Sequence, residues 1–168
     1  HNTFFSCESA PIRHYKPSLT NTNIHDANQT HNILELPVSC GFNRSNYALA
    51  QTMHKLFEKR PFSWLKVNGA LWHTLLLRKI YLSPELCTSK DMIRLINNKF
   101  KNGDSCFHMY LHSSSLLTDV TGLNNELNAR ESICQRIGEV MHHLSHVADV
   151  EFLTLTEAKS KLTTMENV

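Results

Sequence analysis

Apolar residues recur at helical spacing in several stretches of the chain, and these stretches predict its main helices. Three long helices are predicted, beginning at Asn43 or Ser45, at Thr88 and at Asn128, and ending near Phe57, Gly103 and Val147. Thr88 followed by Asp91 resembles a capping box, and Gly103 is well suited to end the helix that Thr88 begins. A short helix is predicted near Phe62–Val67, and a terminal helix is predicted to begin at Thr156.

Three short runs with strand-like composition separate these helices, over residues 33–38, 107–112 and 151–155. In the second run the alternation places His108, Tyr110 and His112 on one face of the predicted strand. Strand and helix therefore alternate at least three times, which predicts an α/β domain with a mainly parallel sheet over residues 33–168. Residues 1–32 are polar and irregular, so we expect a connection rather than a domain. Functional groups gather at the C-terminal ends of parallel strands, where His112 is expected to lie.

Composition excludes several functional classes. Apolar residues make up 41% of the chain and charged residues 19%, which is typical of a globular protein. The formal charge of only +2 gives no support to a nucleic-acid partner. The longest apolar stretch, near residues 75–82, contains Arg78 and Lys79, so no membrane span is predicted. Five scattered cysteines indicate reduced thiols rather than a disulfide framework.

Eleven histidines make a metal site worth testing. His142 and His146 share a helix face at the spacing by which zinc helices present two ligands, but His143 stands where a metalloprotease motif has glutamate. We therefore expect a solvent-facing stripe and assign no metal ligand in this chain. A Ser–His–Asp hydrolase built on residues 113–115 with Asp104 or Asp119 lacks the Gly-x-Ser-x-Gly turn that exposes such a serine.

Several segments in order resemble one branch of the polysaccharide deacetylase-like proteins. Leu34–Phe42 (LELPVSCGF) is similar to the segment LLE-(I/V)-P-V-(S/T)-x-G-F of that branch, and Met109–Leu117 (MYLHSSSLL) is similar to its segment (F/L)-H-S-x-S-L. The segments at residues 11–18, 82–95 and 152–157 fit the same order and spacing. The resemblance covers residues 10–162.

The resemblance implies a partial distorted (β/α) barrel and the hydrolysis of N-acetyl groups on amino-sugar glycans. In that chemistry a divalent metal, usually zinc, activates water, and a late histidine, matched here by His112, protonates the leaving amine. Ser113 and Ser114 are candidate supports for His112 or for the substrate. Arg13 and Tyr15 are candidates for lining the sugar groove, although packing within a loop would explain both.

Two departures from the family pattern limit what this chain is expected to do. Ser113 stands where the family has an acidic residue, and nothing in residues 1–32 matches the family's metal-ligand motifs. We therefore expect the C-terminal portion of a deacetylase, without metal or activity alone, completed by an N-terminal half or associating with itself. The alternative is a non-catalytic carbohydrate-binding or accessory module in cell-envelope glycan assembly. A location in the cytoplasm or at the periphery of the cell envelope fits either hypothesis.

Overall fold

The computed structural model describes residues 10–18, 25, 26, 28, 33–74, 76–121 and 128–165, the side chains of Trp72 and Met165 excepted. The chain divides into two compact units. One unit is residues 38–148, and the other combines residues 1–37 with residues 149–168. The predicted irregular connection over residues 1–32 falls largely outside the described residues.

The predicted partial (β/α) barrel with mainly parallel strands is wrong. The described residues form five α-helices and a single sheet of two antiparallel strands. Strand β1 (Cys40–Phe42) pairs with β2 (Lys79–Tyr81), with Gly41 opposite Ile80. Antiparallel pairing of two three-residue strands cannot provide the row of parallel strands that a barrel requires.

The long helices were predicted correctly because their signals are local. They are α1 (Tyr47–Glu58), α3 (Ser89–Lys101) and α4 (Ala129–Val147), joined by the shorter α2 (Val67–His73) and by the terminal α5 (Leu155–Met165). Thr88 caps α3 as predicted, since its hydroxyl accepts from the Asp91 N–H at 3.2 Å. Gly103, at φ +78°, ends α3 in a Schellman turn closed by backbone bonds from residues 103 and 104. The first cap is Asn46 rather than Asn43 or Ser45.

None of the three predicted strands forms, and the absence of each one has a physical reason. In residues 33–38 only Glu35 joins a bridge, to Tyr15, and Pro37 has no N–H for a ladder. Residues 151–154 are exposed, and Leu155 already begins α5, which is capped by Thr154 instead of Thr156. In residues 107–112 the donors go to different partners: the His108 N–H to the Ser39 hydroxyl and the Tyr110 N–H to the Leu82 carbonyl. A segment bonded in this way is extended but belongs to no ladder.

The core of the 38–148 unit lies between β2, α3 and α4. Its buried members come from these elements and from the turn between the first two: Ile80, Leu82, Cys87, Met92, Leu95, Ile96, Val140 and Leu144. Each fully buried aliphatic side chain contributes about 1.5–3 kcal/mol relative to exposure, so this cluster fixes the relative positions of the three elements. The turn from Leu82 to Thr88 is thereby held rigidly between β2 and α3.

Glycine at position 41 lets β1 pack closely against α3. A Cβ added there would lie 2.7 Å from Leu95 Cδ1, inside the core. Only a residue without a side chain fits this contact unless Leu95 moves.

Two further sequence predictions concern membrane-spanning helices and the state of the cysteine thiols. No described helix is both long and apolar enough to cross a membrane. Cys40, Cys87, Cys106 and Cys134 are free thiols, and Cys7 lies outside the described residues.

Candidate active site around Glu85 and His112

The candidate site is built where the turn after β2 meets the extended segment before a short 3₁₀ helix, η1 (Ser113–Leu116). The turn is closed by bonds from the N–H groups of Leu86 and Cys87 to the Ser83 carbonyl. Arg136 of α4 donates to the Pro84 carbonyl at 2.8 Å, which ties the turn to that helix. These bonds place the Glu85 side chain beneath the segment that ends in His112.

Glu85 holds His112 at two points. The Glu85 side chain is completely buried, and its Oε1 lies 2.6 Å from His112 Nδ1. Its Oε2 accepts the His112 backbone N–H at 3.1 Å. The Ser115 hydroxyl, also buried, donates to the same carboxylate. A buried carboxylate with three donors has the partners that burial of a charge requires.

The hydrogen bonds determine the charge of Glu85. Burial would raise the pKa of this carboxyl, but the donors from Ser115 and from the backbone and ring of His112 outweigh burial and lower the pKa. Glu85 is therefore ionised at neutral pH and can only accept hydrogen bonds. It follows that Nδ1 of His112 carries a proton, which assigns the tautomer from its partner.

In this arrangement, the ring of His112 is able to transfer a proton. Because Nδ1 is engaged, the other ring nitrogen, Nε2, remains to give or take a proton, and 63% of the His112 side chain is exposed. A carboxylate that fixes the tautomer and orientation of an imidazole is the relation found between the acid and the histidine of hydrolase triads. The Glu85–His112 pair can thus act as a general acid or a general base.

Tyr110 forms one side of the site. Its ring meets the His112 ring edge to face, with 6.0 Å between the ring centroids. Burial is the main cause that raises the pKa of the Tyr110 hydroxyl, so this group stays protonated at neutral pH. The sequence alternation placed Tyr110 and His112 on one face of a strand, and they are in contact although no strand forms.

The other predicted site residues divide between the two units. Ser113 is exposed and Ser114 is half-buried, both in η1 directly after His112. Arg13 and Tyr15 belong to the other unit, where Tyr15 is buried and bridges to Glu35 by two backbone bonds. A role for Ser113, Ser114, Arg13 or Tyr15 in binding a glycan stays a prediction.

Among the described residues, no group of three or more histidine, cysteine or acidic side chains converges as the ligands of a metal ion would. His142 and His146 lie exposed on α4 with ring centroids 4.4 Å apart, and His146 Nδ1 lies 2.7 Å from the His142 carbonyl oxygen. His143 faces Asn97 instead, at 2.9 Å.

Glu85 is a candidate site residue that reasoning from the sequence missed. The alternatives considered as acidic partners of a histidine were Asp104 and Asp119, but Asp104 pairs with Lys99 at 3.0 Å. One signal was present: Glu85 is the single charged residue between Ile80 and Cys87. An acidic residue within such a run is a candidate for burial, and burial of a carboxylate requires a partner.

Comparisons of the chain with models of protein families, with curated proteins and with solved structures found no match.

Proposed function

We propose that His112 is the general acid of a hydrolase that removes N-acetyl groups from amino-sugar glycans, and that Glu85 orients it. The observation that carries this proposal is the 2.6 Å contact between the buried Glu85 carboxylate and His112 Nδ1. Amide hydrolysis requires a proton for the departing amine, and protonated Nε2 of His112 would deliver it. The reaction class itself comes from the resemblance to polysaccharide deacetylases.

In this proposal, the chain works together with a segment that contributes the metal ligands and the base. The described residues supply no such set of ligands, so the steps assigned to this chain are limited to its own groups. Glu85 holds the imidazole in one tautomer, and Ser115 and Arg136 hold Glu85 and its turn. Exposure of His112 leaves it accessible to a polymeric substrate.

The test is acetate release from an N-acetylated glucosamine oligosaccharide by the longest natural form of the protein, supplied with zinc. We expect His112→Gln to lower kcat by about 100-fold or more with little change in KM, since general acid catalysis contributes about 10²- to 10⁴-fold. Glu85→Gln should lower kcat less than His112→Gln does. His108→Gln is the matched control, because His108 lies in the same extended segment without contacting Glu85 through its ring.

Two outcomes would contradict the proposal. Turnover unchanged in His112→Gln would remove the acid role. Oligosaccharide binding without acetate release, unaffected by His112→Gln, would favour the alternative of a non-catalytic carbohydrate-binding or accessory module.

A further inference from the structure

Basic residues are concentrated in one part of the 38–148 unit. Residues 44–79 contain seven lysines and arginines and only one acidic residue, a net charge of +6, whereas the whole chain carries +2. The rest of the chain is therefore net acidic, at −4. Such a charge asymmetry orients a protein in an electric field even when its total charge is small.

The densest part of this stretch, residues 55–66, forms the end of α1 and the turn that leads to α2; we call it the basic tip. Its four cations, Lys55, Lys59, Arg60 and Lys66, are exposed, and none makes an ion pair with any residue that the structure describes. The one acidic residue of the basic tip is Glu58, and its Oε1 lies 3.2 Å from His54 Nδ1. The basic tip thus presents four cations that no anion in the described part of the chain neutralises.

Large apolar side chains stand exposed among these cations. Trp64 is 83% exposed, Leu65 63% and Leu56 49%. Burial of a side chain such as Leu65 in an apolar environment is favourable by about 1.5–3 kcal/mol, so these side chains would gain from contact with a partner.

The turn that carries these groups is ordered. Backbone bonds run from Ser63 N–H to the Lys59 carbonyl at 3.0 Å and from Val67 N–H to the Phe62 carbonyl at 3.2 Å. The rings of Phe57 and Phe62 meet edge to face, with 5.5 Å between their centroids. An ordered turn pays little conformational entropy when it docks.

From this geometry we propose that the basic tip is a docking surface for an anionic lipid bilayer. Tryptophan is favoured at the boundary between headgroups and acyl chains, where its ring is in an apolar layer and its N–H stays hydrated. Lysine and arginine beside it pair with acidic headgroups, and the combination of inserted apolar groups with cations is what holds peripheral proteins on membranes.

The experiment is sedimentation of the full chain with vesicles of phosphatidylcholine, with and without phosphatidylserine. We expect binding only to vesicles that contain phosphatidylserine, weakening as salt is raised. Each basic residue near such a surface contributes about fivefold in partitioning, so Lys59→Gln with Arg60→Gln should weaken binding about 25-fold. The matched control removes two exposed cations from α3, Arg94→Gln with Lys101→Gln, and should bind within about twofold of the wild type.

A second pair of variants tests the apolar part. Leu65→Ser should weaken binding, while Leu117→Ser, at an equally exposed leucine away from the tip, should not. In a Trp72→Phe background the emission of Trp64 should shift to the blue when the vesicles are added. The circular dichroism of every variant is compared with that of the wild type, so that loss of fold is not mistaken for loss of binding.

Three results would overturn the proposal. One is absence of binding to vesicles that contain phosphatidylserine. Another is binding that the control pairs weaken as much as the tip variants do. The third is concentration-dependent self-association that Leu65→Ser abolishes, which would assign the tip to a second copy of this chain.

Discussion

At the residue scale, the site rests on one carboxylate that is completely buried. Glu85 keeps its charge there because three donors replace the water that burial removes. Two of those donors belong to His112, so the charge of the Glu85 carboxylate and the orientation of the imidazole depend on each other. A change at either residue is therefore expected to affect both stability and chemistry.

The pH dependence of stability should report the ionisation of Glu85. Its pKa in the folded protein lies below the ordinary value of 4.5, so the ionised form favours folding. This contribution is fully present above pH 4.5 and is lost as the pH falls through the lower pKa of the folded state. Urea unfolding of the wild type and of Glu85→Gln, at a series of pH values, measures it.

We expect the difference in stability between the two proteins to shrink as the pH falls below 4.5. The other carboxyls titrate in both proteins and cancel in that difference. A difference that stays constant down to the acid limit would mean that Glu85 is not ionised in the folded protein.

The position of Glu85 beside His112 could not be predicted from either segment alone. The two residues are 27 positions apart, and their meeting depends on how the turn after β2 packs under the segment 107–112. His112 became a candidate because the alternation before it, the serines after it and the resemblance to deacetylases all lie within its own segment. The isolated charge between Ile80 and Cys87 suggests that Glu85 is buried, but no local signal indicates that His112 is its partner.

At the element scale, the contrast between helices and strands has a physical cause. The caps at Thr88 and Gly103 lie within a few residues of the groups they satisfy, so the sequence contains the whole interaction. A strand needs a second strand, which can lie far away in the sequence, to accept its hydrogen bonds. Here the N–H group of His108 donates to the Ser39 hydroxyl and that of His112 to the Glu85 carboxylate. Short apolar runs are ambiguous for this reason.

Two glycines allow a test of how elements pack. Gly41→Ala should lower the free energy of unfolding by about 1 kcal/mol or more, since the new methyl group displaces Leu95 in a filled core. Gly138 lies exposed within α4 with nothing within 4 Å of an added Cβ. Gly138→Ala should therefore raise the free energy of unfolding by about 0.5–1 kcal/mol, because alanine loses less backbone entropy in a helix.

Denaturant unfolding of the two variants beside the wild type measures both effects. Equal and small effects of the same sign would show that the close approach of β1 to α3 is not present in solution.

At the scale of the whole molecule, the buried cluster and the Glu85–His112 pair both fall within residues 38–148. We therefore expect this segment, expressed alone, to unfold cooperatively in urea, because it keeps every buried member of that cluster. The amides of α3 and α4 should remain the most protected in hydrogen exchange. A non-cooperative transition, with no protected amides, would show that the segment depends on the other unit.

Totals taken over the whole chain leave out how its features are distributed. The net charge of +2 gave no support to a nucleic-acid partner, and it is the sum of +6 in residues 44–79 and −4 in the rest of the chain. The predicted barrel was wrong because a count of alternating elements contains neither strand direction nor pairing. Distribution and connectivity decide these properties.

The tie between Glu85 and the backbone N–H of His112 has a consequence for evolution and for engineering. Because Glu85 contacts both the ring and the backbone of His112, the orientation of the imidazole is set by the turn before α3. Thr121 lies 3.4 Å from the hydroxyl of Ser115, which supports Glu85, whereas Leu117, Asp119 and Val120 are exposed. A library randomised at Leu117, Asp119 and Val120, with Thr121 kept, would therefore vary the surroundings of His112 while its contact with Glu85 stays constant.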